Sequence, residues 1–305
     1  MTSGHVGLPE SDELADVLLD LAVPHEDINE LVALRGRMTT DPGLRRLLET
    51  GVHKLVQDMG RPGGGGGSPR IPEGSGAPAR FFPVYVLVAA LPYVRAYHRG
   101  RCVPDDISRR TLADLGRHMA VHRRRHGVGG LSIPGWLALH FRGEIYQLGR
   151  LQFQRSRLGS RTGEAVRAAG LPLGPDDVAL DVHVPGSLGP ITPGACDRSL
   201  ALAREFFARH FPEEPYRIAM CHSWLLDPQL AEYLPEGSNI IAFQNRFRTT
   251  QMIKEADDGD PVGFVFGDPK LPLDTLPRRT TLERAIGDHL RAGRHWYQGH
   301  GWFEI

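Results

Sequence analysis

Between Val178 and Ser223 the sequence reads strand, loop, helix, strand, and this order commits the C-terminal part of the chain to a mixed α and β arrangement. "VALDVHV" (Val178 to Val184) alternates as a strand, "PGSLGPITPG" (Pro185 to Gly194) is a glycine-rich loop, and "ACDRSLALAREFFARHF" (Ala195 to Phe211) is a helix. A second strand, Tyr216 to Ser223, ends in Cys221, His222 and Ser223. Around this core the pattern predicts a β-hairpin over Trp136 to Arg155 that turns at Arg142-Gly143. It further predicts a short helix from Asp227 to Tyr233, strands at Asn239 to Phe247 and Pro261 to Gly267, and a C-terminal helix from Thr281 to Gly293.

The N-terminal part has a different period. Leu14, Val17, Leu18 and Leu21 recur at helix spacing, as do Ile28, Leu31, Val32 and Leu34, and then Leu44 to Val56. "RPGGGGGSPRIPEGSGAPAR" (Arg61 to Arg80) cannot pack and is expected to be a disordered loop. Since Phe81 to Gly127 is helical again, the loop lies inside one domain rather than between two. A chain of 305 residues accommodates two domains; we expect a helical one over 1–130, with the loop at 61–80, and a second over 131–305.

Charge is balanced, 36 basic against 36 acidic residues, so no net field recruits nucleic acid or an anionic surface. Cys102, Cys196 and Cys221 form neither a disulfide framework nor a CxxC pair, which fits a reducing compartment. No secretory pattern opens the chain, and the apolar run Phe81 to Val94 is short of a membrane span and holds two prolines. A soluble, cytoplasmic protein without a membrane partner is the expectation. Abundant Arg, Ala, Gly and Pro with little Lys has the look of a GC-rich actinobacterial genome.

Alternation puts Asp181 and His183 on one side of their strand, where a histidine can take a proton near neutral pH and a carboxylate can orient it. Along the other strand, His222 shares a side with Ile218 and Met220, opposite Ala219, Cys221 and Ser223. The three adjacent polar residues are therefore not a triad. Cys221 reads as a small core residue or as a nucleophile; His222 or Ser223 is the better candidate for donor orientation or proton transfer. His118, His122 and His126 share a helical spacing, but three arginines beside them and the absence of an HExxH glutamate argue against a metal. Arg123 to Arg125 could meet phosphates by charge. In "RHWYQGHGWF", His295, Trp296, Tyr297, His300 and Trp302 either wall a pocket or pack as a tail on the sheet.

Three phrases, "LGRLQFQ", "HVPGSLGPITPGACDRSLALAREFFARHFPE" and "CHSWLLDPQLAEYLPEGSNIIAFQNRF", together with the element order, resemble bacterial acyltransferase-domain proteins that join a helical N-terminal domain to a GNAT-like C-terminal domain. The resemblance implies an α+β fold in which two central strands splay around an acyl thioester. It implies that the loop at Gly186, Ser187, Gly189 and Thr192 presents backbone N–H groups and a helix N-terminus to the donor's phosphates. That loop lacks the Gln/Arg-x-x-Gly-x-Gly/Ala wording of the superfamily, which leaves coenzyme A, an acyl carrier protein and aminoacyl-tRNA all open as donors. Tyr233 falls in the short helix where many such enzymes keep a tyrosine that reprotonates the leaving thiolate. The expected activity is direct acyl transfer from a thioester or similar donor to an amine of a small molecule, hydroxyls not being excluded, with no permanently bound cofactor. Its rivals are a silent acyl-carrier-binding module and a thioester hydrolase working through Cys221 or Ser223, with His183 or His222 as base.

Overall fold

A computed structural model describes residues 7–63, 70–74 and 76–305. By compactness the chain divides into two units between Tyr146 and Gln147, beyond the 130/131 boundary expected from the sequence. The disorder expected at residues 64–69 and 75 lies outside the described residues.

Helices of the first unit are α1 (Ser11–Asp20), α2 (His25–Thr40), α3 (Pro42–Gln57), α4 (Ala77–Gly100), α5 (Asp105–Leu112), α6 (Asp114–His126) and α7 (Pro134–Phe141). The first turn of α4 begins inside the expected loop, because Pro78 suits the first turn, where its missing N–H would have no partner. This helix is long and apolar enough to cross a bilayer, yet Phe81 to Leu91 are buried against Leu14, Leu18, Leu31 and Met38 in the core of the helical unit.

β1 (Ile145–Leu148) straddles the division, and the elements that follow in the second unit are β2 (Leu151–Arg157), α8 (Ser160–Ala168), β3 (Val178–His183), α9 (Pro193–His210), β4 (Ile218–Ser223), α10 (Asn239–Gln244), β5 (Arg248–Ala256), α11 (Gly259–Phe266), α12 (Thr281–Arg291) and β6 (Tyr297–Glu304). The strands form one sheet in the order β1-β2-β3-β4-β6-β5. Only β3 and β4 are parallel among the strand pairs from β2 to β5, as their α9 crossover requires. The architecture is thus a helical unit followed by a mixed sheet, the α+β class expected.

Several elements differ from their sequence reading. Trp136 to Phe141 is helix, not the first arm of a hairpin. Its run Pro134, Leu137, Ala138, His140 and Phe141 is buried, and short apolar runs do not separate helix from strand by period. Gly143, read as the hairpin turn, has φ +69° and ends α7: its N–H bonds His140 O, and Glu144 N–H bonds Leu139 O. That is the Schellman arrangement, in which glycine takes the left-handed position without penalty. The hairpin lies further on, β1 to β2, turning at Gly149-Arg150. Asn239 to Gln244 is the helix α10, capped by Ser238, and α11 covers most of the strand read at Pro261 to Gly267. The strands that complete the sheet are β5, whose described side chains are exposed or half-buried, and β6, read from its aromatic residues as a pocket wall or a tail packed on the sheet.

Glycines bracket the middle of β6. A Cβ on Gly299 would lie 2.7 Å from Leu226 Cβ and 2.9 Å from its carbonyl oxygen, so the turn that follows β4 is seated directly on this strand. Gly299→Ala is expected to push that turn off the sheet and cost about 1–3 kcal/mol, the usual range for overpacking; urea unfolding of the variant checks it, and an unchanged midpoint contradicts it.

Candidate functional site

β3 and β4 are in register only at Leu180↔Ala219 and Asp181↔Met220. Each keeps its outer partner to the end, β2 along Val178–His183 and β6 along Ile218–Ser223. Beyond Asp181 and Met220 the two strands therefore have no registered pairing with each other, which leaves Val182–His183 and Cys221–Ser223 unpaired to one another at their C-terminal ends.

Residues paired across neighbouring strands point to the same face. Register accordingly aligns Gln152 with His183, Gln154 with Asp181, Asp181 with Met220, and His222 with His300. One face of the sheet where this pairing ends thus carries Gln152, Gln154, Asp181, His183, His222 and His300. His183 Nε2 donates to Gln154 Oε1 (3.0 Å), which fixes the proton on that nitrogen. His222 and His300 stack with ring centroids 4.1 Å apart. Gln152 Nε2 and Asp181 Oδ1 are buried without a hydrogen-bond partner among the described residues. Buried polar atoms left this way cost free energy, and in a native fold they call for an explanation, such as a ligand.

His222 Nδ1 lies 3.9 Å from Asp181 Oδ2. An ion pair there would need a protonated imidazole and an ionised carboxyl, and burial opposes both. It lowers His222 to about 4, helped by the charge on His300, and raises Asp181 to about 7 against one backbone hydrogen bond. At neutral pH the resting pair is an uncharged imidazole beside a carboxyl in mid-titration. His222 is 40% exposed, so the ring reaches solvent while Asp181, at 14%, stands behind it.

The raised carboxyl has a signature in stability. An aspartate ionises near 3.9 in an unfolded chain; between there and about 7 the folded chain holds the extra proton, so this contribution to stability falls as pH rises through the interval. The lowered imidazole acts oppositely, its contribution being lost as pH falls from about 6.5 toward 4. Asp181→Asn removes only the first effect. Its melting temperature relative to the wild type should climb as the buffer moves from pH 4 to pH 8; an offset independent of pH would contradict the assignment.

The remaining candidates take other positions. Cys221 is buried on the opposite face, its thiol pushed well up by burial and then by the nearby Asp181 charge, so it is protonated at neutral pH. Ser223 Oγ accepts from Leu225 N–H (3.1 Å) and starts the turn after β4. Tyr233 donates to His289 Nδ1 (3.0 Å), whose Nε2 donates to the His295 carbonyl, and Arg294 donates to the same phenol oxygen (3.3 Å). It packs with His289 and Trp296. In the loop after β3, Gly186, Ser187 and Gly189 are exposed; Gly189 has φ +78°, and its carbonyl accepts from Arg150 Nε (2.7 Å). Thr192 caps α9 by accepting from Ala195 N–H (3.3 Å).

In the helical unit, His118 faces Asp114, His122 bonds Ser132, and the His126 ring packs on His122 at a tilt of 50°. Arg123 is held by Asp27. Sequence reasoning missed Gln152, Gln154 and the role of His300 as the stacking partner of His222. All three enter through strand register, which the sequence does not display.

The chain matches the N-acyltransferase N-terminal domain family over residues 12–143 and the GNAT-like C-terminal domain family over residues 145–303. No curated protein matches it. Among solved structures, an acyltransferase in complex with decanoyl-CoA and teicoplanin is 41% identical, with a TM-score of 0.88 covering 99% of this chain and 91% of that one. The same values hold for an acyltransferase in complex with CoA and 10C-teicoplanin. They hold too for a mutant acyltransferase in complex with octanoyl-CoA.

Proposed function

From the premise that this chain belongs to the GNAT-like acyltransferase family, we propose that it moves a medium-length acyl group from acyl-CoA to an amine of a teicoplanin-like scaffold. As a GNAT-like N-acyltransferase it is an enzyme rather than a silent carrier-binding module. Its solved relatives hold CoA or CoA thioesters, and nothing favours a carrier protein or aminoacyl-tRNA as the donor. A cytoplasmic site of action in an actinobacterial cell fits both that donor and the arginine-rich composition.

The observation that carries the reading is the parting of β3 from β4 beside Asp181 and His222. Strands that keep their outer partners and lose each other leave edges to which the amides of a pantetheine arm can bond, as an added strand would. The donor's phosphates would sit at Gly186, Ser187, Gly189 and the Thr192-capped start of α9, where N–H groups and the helix dipole favour anions. The amine nitrogen attacks the thioester carbon; the C–N bond forms, the C–S bond breaks, and coenzyme A leaves as thiolate. We assign the amine's proton to His222, exposed toward the acceptor side, with Asp181 behind it. Above pH 7 the pair is a neutral imidazole and a carboxylate, ready to accept one proton, and the imidazolium that forms is stabilised by the charge 3.9 Å away. His183, oriented by Gln154, is the second proton-transfer candidate.

Hydrolysis through Cys221 has no support from a buried, protonated thiol, and Ser223 has its oxygen engaged in the turn. We therefore treat both as structural, and Tyr233 likewise. The test is incubation with decanoyl-CoA and a teicoplanin core lacking its acyl chain. Mass spectrometry should show the core gaining one decanoyl group as free coenzyme A accumulates. Coenzyme A released without an acylated core would favour hydrolysis instead.

A further inference from the structure

Helix α11 turns Val262, Val265 and Phe266 into the apolar cluster that also holds Trp224 and Val184. Phe264, on the same helix, does not join them and stays 45% exposed. Its ring meets Trp224 edge-on, centroids 5.7 Å apart at 65°, and lies 3.5 Å from where a side chain on Gly186 would begin. Trp224 is the residue that follows β4, and Gly186 stands in the loop that follows β3. The Phe264 ring therefore lies against both chain segments that leave β3 and β4 where their pairing with each other ends.

An exposed aromatic in that position is costly to leave in water and gains from covering an apolar group. Whatever runs from the phosphate loop at Gly186 to Thr192 into the opening between β3 and β4 must pass this ring. A pantetheine arm has the matching chemistry, two amides for the strand edges and a dimethyl-substituted carbon between them and the phosphates. We propose that Phe264 is a positioning residue that packs on the apolar part of the pantetheine arm of the donor, and so sets donor affinity rather than the rate of the chemical step. The proposal rests on the acyl-CoA reading above. Gly186 contributes by having no side chain to separate the loop backbone from the ring.

The experiment compares the full-length wild type with Phe264→Ala and Phe264→Leu, measuring the Kd of free coenzyme A by calorimetry and kcat and KM with acetyl-, octanoyl- and decanoyl-CoA. Because the ring is half in water already, neither variant should lose its fold. For Phe264→Ala we expect the Kd of coenzyme A and the donor KM to rise by about tenfold, the equivalent of about 1.4 kcal/mol. The KM rise should be equal for all three donors, with kcat within about twofold of wild type and Phe264→Leu recovering part of the affinity. Unchanged affinity for coenzyme A overturns the proposal, as does a loss that grows with acyl length, which would place the ring on the acyl chain. If the wild type itself does not bind coenzyme A, the donor reading fails and takes this inference with it.

Discussion

His222→Ala is expected to lower turnover with acyl-CoA and an amine acceptor by about a hundredfold or more at neutral pH, the ordinary contribution of a positioned general base. Because the side chain is 40% exposed, its loss should leave the fold intact. Asp181→Asn should remove the rise in rate that the wild type shows as pH passes about 7, since Asn cannot supply the carboxylate that stabilises the imidazolium. Two ionisable groups this close titrate as a pair, so the apparent value belongs to both. Cys221→Ala should leave kcat nearly unchanged, and the intact protein incubated with decanoyl-CoA alone should carry no acyl adduct. Full activity in His222→Ala, with the large loss found in His183→Ala, would move the base to His183. An adduct on Cys221 that forms and decays at competent rates would replace direct transfer with a covalent route.

Glu214→Ala is expected to be the most destabilising single change in the sheet unit. Arg155, on β2, is fully buried and is held by two parallel bonds, Nε to Glu214 Oε2 (2.9 Å) and Nη2 to Glu214 Oε1 (2.5 Å), while its guanidinium stacks 4.2 Å from the Phe211 ring. Glu214 sits in the connection from α9 to β4. The pair thus ties the outer neighbour of β3 to the segment that delivers β4, and so holds the two splayed strands in place from behind. Removing the carboxylate takes two charge-assisted bonds from a buried guanidinium, a loss of about 3–5 kcal/mol. Denaturant unfolding reads it directly. The double change Arg155→Met with Glu214→Leu should cost much less, because it removes both charges and fills the space with apolar groups. A single variant as stable as the wild type would show that the pair contributes nothing net.

How far the sequence reveals the molecule depends on whether a feature is local. The helical N-terminal run, α9 and the two central strands carry period and length in one stretch and appear close to where their residues place them, α9 starting at Pro193 rather than Ala195. The short apolar runs at Trp136, Asn239 and Pro261 do not, because four to eight buried residues fit either element and only their caps separate the two. Ser238 and Gly143 were the available signals, an N-cap and a left-handed C-cap. Among its described side chains β5 has no buried stripe, so its alternation does not mark it as sheet. Alternation correctly set His222 against Cys221 and put Asp181 with His183, since a strand's two faces follow from its own residues. What it left out is which strands are neighbours. The approach of Asp181 to His222, the stacking of His300 on His222 and the bond from His183 to Gln154 all depend on register between distant segments.

A crystal structure of this chain with bound decanoyl-CoA tests most directly whether the donor's thioester lies where β3 and β4 part. We predict the thioester carbon between Val182–His183 and Cys221–Ser223, the His222 ring on the side from which the amine would approach, and the phosphates against Gly186 to Thr192. A thioester bound elsewhere on the sheet, or β3 and β4 closed into full pairing with the donor outside them, would contradict it.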